Sequence, residues 1–192
     1  MGTPALDQLR THLKLGSLAN VVLLSNRAAE PTQGHLVQKI RERLDKEFQE
    51  GSAEEKEILE GIKQENMCFV EREIKQQRDG EIFIKIGVNV REKDIHLFHK
   101  FDDKNMDSME LFIMGDALKR AGVRSISLYS PYMPYQRQDK KDDGRVPISA
   151  RLFFDLLNTS MGKYLKRIVT LDLHARQAQA FFDGPVDELS AV

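Results

Sequence analysis

The sequence predicts an α/β domain: a mostly parallel sheet flanked by helices, with a short hairpin and an inserted surface helix. Two observations predict it. Val21–Leu24, Ile95–Phe98, Ser125–Ser130 and Ile168–Leu173 are short runs of buried-strand length. The segments between them repeat apolar residues at helical spacing, and strands alternating with helices imply helices on both faces of the sheet.

Each element has its own warrant. Residues 1–18 read as an extension with a short amphipathic run, Leu6 to Leu15, and the domain proper spans 19–192. Val21–Leu24 followed by Leu36, Val37, Ile40 and Leu44 reads as one βα unit. Residues 45–66 are rich in Glu and Lys. There Ser52 and Glu55 form a capping box for an inserted helix bearing Ile58, Leu59 and Ile62, which is either a solvated face or an interface. Cys68 to Ile74, a turn at Arg78-Asp79-Gly80, and Ile82, Ile84 and Ile86 alternating with charged and aromatic residues read as a hairpin. Asp107 and Glu110 read as a capping box for a helix that ends before Gly122, with Leu111, Met114, Leu118 and Ala121 inward. Ser149 reads as the N-cap of a helix bearing Leu152, Phe153, Leu156 and Leu157. Ala175 to Phe182 reads as helical.

Composition narrows the classes. The chain has 192 residues, 41% hydrophobic and 31% charged, with a net charge of −1, as in an ordinary globular protein. That balance gives no reason to expect nucleic acid or an acidic membrane as partner. Cys68 is the one cysteine, so an internal disulfide is excluded and a reducing, cytoplasmic setting is expected. No apolar run reaches membrane-span length, and the first residues match neither a signal peptide nor a myristoylation motif.

The chemistry concentrates in the polar stretch Pro131–Pro147, between a strand and a helix. A long ordered loop in a compact α/β domain is usually functional. This one sets Arg137, Lys140, Lys141 and Arg145 among Asp139, Asp142 and Asp143. Alternating signs suit a polyanion held together with a metal cation, the cations taking phosphate oxygens and the acids taking metal or its water. Ligands of open α/β sheets sit beyond the carboxyl ends of strands. The second charged segment there is Asp172-Leu173-His174, whose acid and imidazole stand two apart and on an extended backbone share one face.

Four ordered blocks carry a family resemblance: Asp79-Gly80-Glu81; Met109 to Lys119; Tyr135 to Asp142 with Arg145 to Ala150; and Leu171 to Asp183 with Pro185-Val186-Asp187. Together they resemble the N-terminal, phosphoribosyltransferase-like lobe of ribose-phosphate diphosphokinases (phosphoribosyl diphosphate synthetases). The resemblance runs from about Asp79 to the end of the chain and weakly over 19–45. It implies transfer of diphosphate from magnesium–ATP to ribose 5-phosphate, with this chain supplying the ATP lobe. Asp79, Glu81, Arg137, Gln138, Asp142 and His174 are then expected to bind ATP. Lys140, Lys141 and Arg145 are expected to contact phosphate, and Asp172, His174, Asp183 and Asp187 to hold Mg2+. The family's second lobe, with its ribose-5-phosphate loop and catalytic basic loop, is not matched. The alternative is therefore a non-catalytic regulatory subunit assembling with a full-length relative. The resemblance also implies a homo-oligomer built from dimers that assemble into hexamers or larger rings, in which the Asp79–Glu81 strip reaches a neighbour's site. The chain departs from the pattern at Gln77, where the family usually places an aromatic residue that packs on the base. Asp143 and Gly144 also replace residues that are often basic and hydroxylated.

Other residues carry less. His96 and His99, three apart on a strand, point to opposite faces and cannot clamp one metal. Tyr129, Tyr132 and Tyr135 either stack a base or anchor the loop. Gly162-Lys163 lacks the upstream glycine of a Walker A loop.

Overall fold

A computed structural model of the chain describes residues 21–26, 29, 68–69, 72–171, 173 and 176–189. The extension, the Leu36–Leu44 helix and the 45–66 insertion lie outside these residues. The described elements are β1 (Val21–Ser25), β2 (Cys68–Phe69), β3 (Arg72–Gln76), β4 (Ile82–Ile86), β5 (Asp94–Phe98), α1 (Lys104–Ala121), β6 (Ser125–Ser130), α2 (Ser149–Met161), β7 (Leu165–Leu171) and β8 (Val186–Leu189). Short 3-10 helices cover Gly162–Tyr164 and Arg176–Phe181.

β2-β1-β5-β6-β7-β8 form one sheet in that order, and every neighbouring pair is parallel. From β5 onward the chain steps in one direction through α1 and α2. Right-handed crossovers then put both helices on the same face. Their shared core is Leu24, Leu97, Leu128 and Ile168 from the sheet, with Leu111, Met114 and Leu118 from α1 and Phe153, Phe154 and Leu157 from α2. These four sheet residues stand level with one another in register.

α1 and α2 approach closely because α1 has no side chain at Gly115. A Cβ there would lie 2.6 Å from Met161 Cγ and 3.1 Å from Ser160 Oγ. Overpacking of this kind costs about 1–3 kcal/mol. Gly115→Val is therefore expected to lower stability by about 2 kcal/mol, read as a lower midpoint in urea unfolding at unchanged slope.

Several boundaries differ from the sequence reading. The stretch 68–74 is two strands rather than one. β2 joins the main sheet, and β3 pairs antiparallel with β4 in a separate hairpin. No glycine or proline separates them, so the sequence reads through. The hairpin turn at Arg78–Gly80 is as expected, with Gly80 at φ +94, a backbone that side chains disfavour. The cap of α1 is Asp103, a turn earlier than Asp107. Its carboxylate accepts from Asn105 N and Met106 N, both at 3.0 Å. Asp107 returns a bond to Asp103 N at 2.9 Å, and Glu110 is buried within the helix. Ser149 does not cap α2; the N-cap is Ile148. Leu152 and Leu156 of α2 face outward. β7 begins and ends earlier than expected, at Leu165 and Leu171, and 176–181 is a 3-10 turn. The edge strand β8 was not anticipated, being only four residues long.

Candidate functional site

The site is built at the carboxyl ends of the strands, one layer beyond the apolar core. Side chains alternate along a strand, so the residue two past a core position faces the same way. Leu24, Leu97, Leu128 and Ile168 are thus followed by Asn26, His99, Ser130 and Thr170. The ladder continues through them: Asn26 N donates to Phe98 O at 3.1 Å, His99 N to Tyr129 O at 2.8 Å, and Ser130 stands opposite Thr170. All four are at most 2% exposed, which makes a buried polar band beneath the loops. The sequence reading missed it. The signal was a polar residue two past a core leucine or isoleucine in four strands.

Asn26 clips the band together at the point where strand order reverses, between β1 and β5. Its Nδ2 donates to Lys100 O at 2.8 Å, and its Oδ1 accepts from Lys100 N at 3.1 Å and Ala29 N at 3.0 Å. His99 Nε2 donates to Asp107 O at 2.8 Å, because a carbonyl can only accept. Its Nδ1, like Thr170 Oγ1, meets no hydrogen-bond partner among the described residues.

Burial pushes the His99 imidazole down to about 3, only partly opposed by its bond to the Asp107 carbonyl. The folded protein therefore keeps His99 neutral while the unfolded chain takes up a proton near pH 6.5. Its contribution to stability is complete above that pH and is lost as pH falls toward 3. Between pH 6.5 and pH 5 the loss is about 2 kcal/mol. Urea unfolding at pH 7 and pH 5 checks this, and His99→Gln is expected to flatten the difference.

His96 lies on the other sheet face, as strand alternation predicts. Its Nδ1 shares a 2.9 Å hydrogen bond with the Tyr129 hydroxyl, and the two rings stack. Burial lowers its pKa, with Asp94 opposing. Tyr129 also stacks on Phe98, so it is an anchor at the root of the loop.

The loop 131–148 leaves β6 over this band and is held at several points. Met133 and Gln136 are buried. Tyr135 takes φ +62, unusual for an aromatic residue, with its hydroxyl donating to Asn105 Oδ1 and its ring against Phe153. Gln138 N donates to Tyr135 O at 3.1 Å, and Gln138 O accepts from Ala150 N at 3.1 Å. The Ser149 hydroxyl, free of capping duty, donates to Gln138 Oε1. Gln136 inside and Gln138 fixed leave Arg137 exposed between them. Arg137, Lys141 and Arg145 are exposed and have no ion-pair partner among the described residues, whereas Lys140 lies 3.3 Å from Asp142. Arg145 sits at φ +64 beside Gly144.

The other expected residues are more dispersed. Asp79 caps the hairpin turn, accepting from Glu81 N at 3.1 Å. Gln77 is exposed, its N–H donating to Glu81 O at 2.7 Å. Glu81 edges a groove of about 490 Å³ with Ile82, Asn105, Met106 and Met109. A second groove, of about 330 Å³, lies between α1, Tyr135 and α2 and shares Asn105 and Met109 with the first. The hairpin tip and the loop thus open on adjoining hollows. Tyr132 is exposed beneath the Lys104 ammonium. Asp183 is exposed. Asp187 forms an ion pair with Arg167, which raises the arginine's pKa. Asp172 and His174 lie outside the described residues. Among the described residues no cluster of three or more metal-ligating side chains occurs, and no helix is long and apolar enough to cross a membrane.

Comparison with known proteins converges on one family. Residues 29–162 match the N-terminal domain of ribose phosphate pyrophosphokinase. The ribose-phosphate pyrophosphokinase of Hyphomonas neptunium is 44% identical over 125 residues, covering 65% of this chain and 39% of the relative. That of Bifidobacterium longum is 48% identical over 115 residues, covering 59% of this chain and 33% of the relative. The crystal structure of phosphoribosylpyrophosphate synthetase from Mycobacterium smegmatis superposes with a TM-score of 0.69 at 35% identity. That match covers 90% of this chain and 49% of the other. The chain therefore spans about two-fifths or less of these two curated relatives and about half of the solved one.

Proposed function

Because this chain belongs to the ribose phosphate pyrophosphokinase family, we propose that it is the ATP-binding lobe of an enzyme that moves diphosphate from magnesium–ATP to ribose 5-phosphate. The products are phosphoribosyl diphosphate and AMP. The observation that carries this is the anchored loop presenting Arg137 between two fixed glutamines, with Lys141 and Arg145 also without an ion-pair partner among the described residues.

Transfer of a phosphoryl or diphosphoryl group needs positioning and charge neutralisation more than covalent help from protein. Arg137 supplies a planar fork that can bridge two phosphate oxygens or stack on the base. Gln138, with its amide oxygen engaged by Ser149, keeps its NH2 donors for the nucleotide. Lys140, Lys141 and Arg145 neutralise the phosphate chain, and Asp142 tethers Lys140. Glu81, at the neighbouring hollow, and Asp79 meet the purine or ribose in the assembled oligomer. Bound magnesium would supply positive charge that offsets the charge of the phosphates. Magnesium in nucleotide sites usually takes one or two carboxylates with phosphate and water. Asp172 and His174 would hold it, directly or through water. Asp183, exposed, is free to join, whereas Asp187 already faces Arg167.

The test is AMP release from magnesium–ATP by the purified chain, with and without ribose 5-phosphate, alone and mixed with a full-length relative. AMP that depends on the sugar supports the reading. ATP binding without turnover, with stable co-purification on the relative, would replace it by a regulatory subunit. Absence of both would contradict it.

A further inference from the structure

We infer that Ser149 is a positioning residue: its hydroxyl, on the first residue of α2, sets which end of the Gln138 amide faces the nucleotide. The inference rests on the ATP-binding reading above. Gln138 is exposed, yet three of its four polar groups are held. Its backbone N–H donates to Tyr135 O at 3.1 Å, and its backbone carbonyl accepts from Ala150 N at 3.1 Å. Its side-chain Oε1 accepts from the Ser149 hydroxyl. The NH2 group is the one left without a partner among the described residues. A glutamine amide carries an acceptor at one end and two donors at the other. With the acceptor end engaged by Ser149, donors remain, and they suit the acceptor oxygens of a nucleotide.

The start of α2 shows that this use of Ser149 runs against local preference. Its N-cap, Ile148, makes no side-chain bond to the first turn. Serine is among the side chains best able to close a helix N-terminus. Here the adjacent serine instead turns back eleven residues to the loop. Local rules broken in this way are expected where function makes a demand. The backbone agrees, since Tyr135 at φ +62 and Arg145 at φ +64 bracket the segment that carries Arg137 and Gln138. Residues other than glycine are uncommon in that region and gather at binding sites. A long side chain that is already fixed needs no ordering when the ligand arrives, an advantage of roughly 2- to 10-fold in affinity.

The experiment is a double-mutant cycle read by isothermal titration of the 192-residue chain with ATP in magnesium. It compares wild type, Ser149→Ala, Gln138→Ala and the double variant, with Ser149→Thr beside them and thermal unfolding of each. Ser149→Ala is expected to weaken ATP binding roughly 3- to 10-fold. Its melting temperature is expected to hold or rise, because alanine is the better helix former. In the Gln138→Ala background the same change is expected to have no further effect, since the amide it acts through is gone. Ser149→Thr keeps the hydroxyl and is expected to restore most of the affinity. Unaltered affinity in Ser149→Ala would overturn the inference, and so would a threonine variant as weak as the alanine one. Equal losses in both backgrounds, or a loss that tracks the melting temperature, would overturn it too, since either marks an effect that does not pass through Gln138. Unchanged binding in Gln138→Ala would remove the inference and leave the Arg137 contact standing. A wild-type chain that binds no magnesium–ATP would sink the ATP reading and this inference with it.

Discussion

Arg137→Ala is expected to weaken magnesium–ATP binding roughly 10- to 100-fold, the loss that follows when one or two hydrogen bonds to a charged group are removed. The structure gives this substitution an unusually clean reading. Arg137 is exposed and forms no ion pair among the described residues, so its removal breaks none of them. Exposed substitutions of that kind stay within about 0.5 kcal/mol of wild-type stability. The backbone around it is fixed independently by Tyr135, Ala150 and Ser149. Affinity should therefore fall while the melting temperature stays put. Arg137→Lys keeps the charge but loses the fork, so it should recover only part of the affinity. Isothermal titration with ATP in magnesium, at two ionic strengths, checks both. A contact to phosphate should also make wild-type binding more salt-sensitive than that of the alanine variant.

Asn26→Ala is expected to cost about 3 kcal/mol of stability. Its amide completes three backbone groups, Lys100 O, Lys100 N and Ala29 N, in a fully buried position. Alanine removes all three bonds, two of them to exposed Lys100, and each hydrogen bond lost costs about 0.5–1.5 kcal/mol. Ala29 N retains a bond to Asn26 O at 3.2 Å, so its share is smaller. For a chain of this size the melting temperature should drop by roughly 6–12 °C. Asn26→Asp tests the mechanism. It keeps the acceptor but sets a carboxylate oxygen against the Lys100 carbonyl, and should be at least as damaging. A fall of less than 1 °C in Asn26→Ala would show that the clip contributes nothing.

The sequence made some parts of this molecule plain and hid others for physical reasons. Strands β5 and β6 and helix α1 were legible because their periodicity is strong and Gly122, at φ +76, ends the helix as a left-handed C-cap. The hairpin was legible from Asp79-Gly80 and the alternation that follows. The start of α1 was misplaced because Asp103 and Asp107 are equally good caps by type, and only the fold shows which carboxylate faces Asn105 and Met106. Ser149 looked like a cap for the same reason, yet its hydroxyl serves Gln138, eleven residues earlier in the chain. Such a partner is set by how the loop returns, which local sequence does not encode. β8 was hidden by its length of four residues. The loop residues were legible as a charged set, and the family blocks gave them a direction. The polar band of Asn26, His99, Ser130 and Thr170 is visible only once four strands are aligned.

The most direct test of the central claim is a titration of the wild-type 192-residue chain with ATP, first with magnesium and then with magnesium chelated. Saturable binding that requires magnesium, and that Arg137→Ala weakens at least tenfold without lowering the melting temperature, is the predicted result. Wild-type and Arg137→Ala titrations that superimpose, or a folded wild-type chain that takes up no nucleotide, would contradict the assignment of the 131–148 loop as the ATP site.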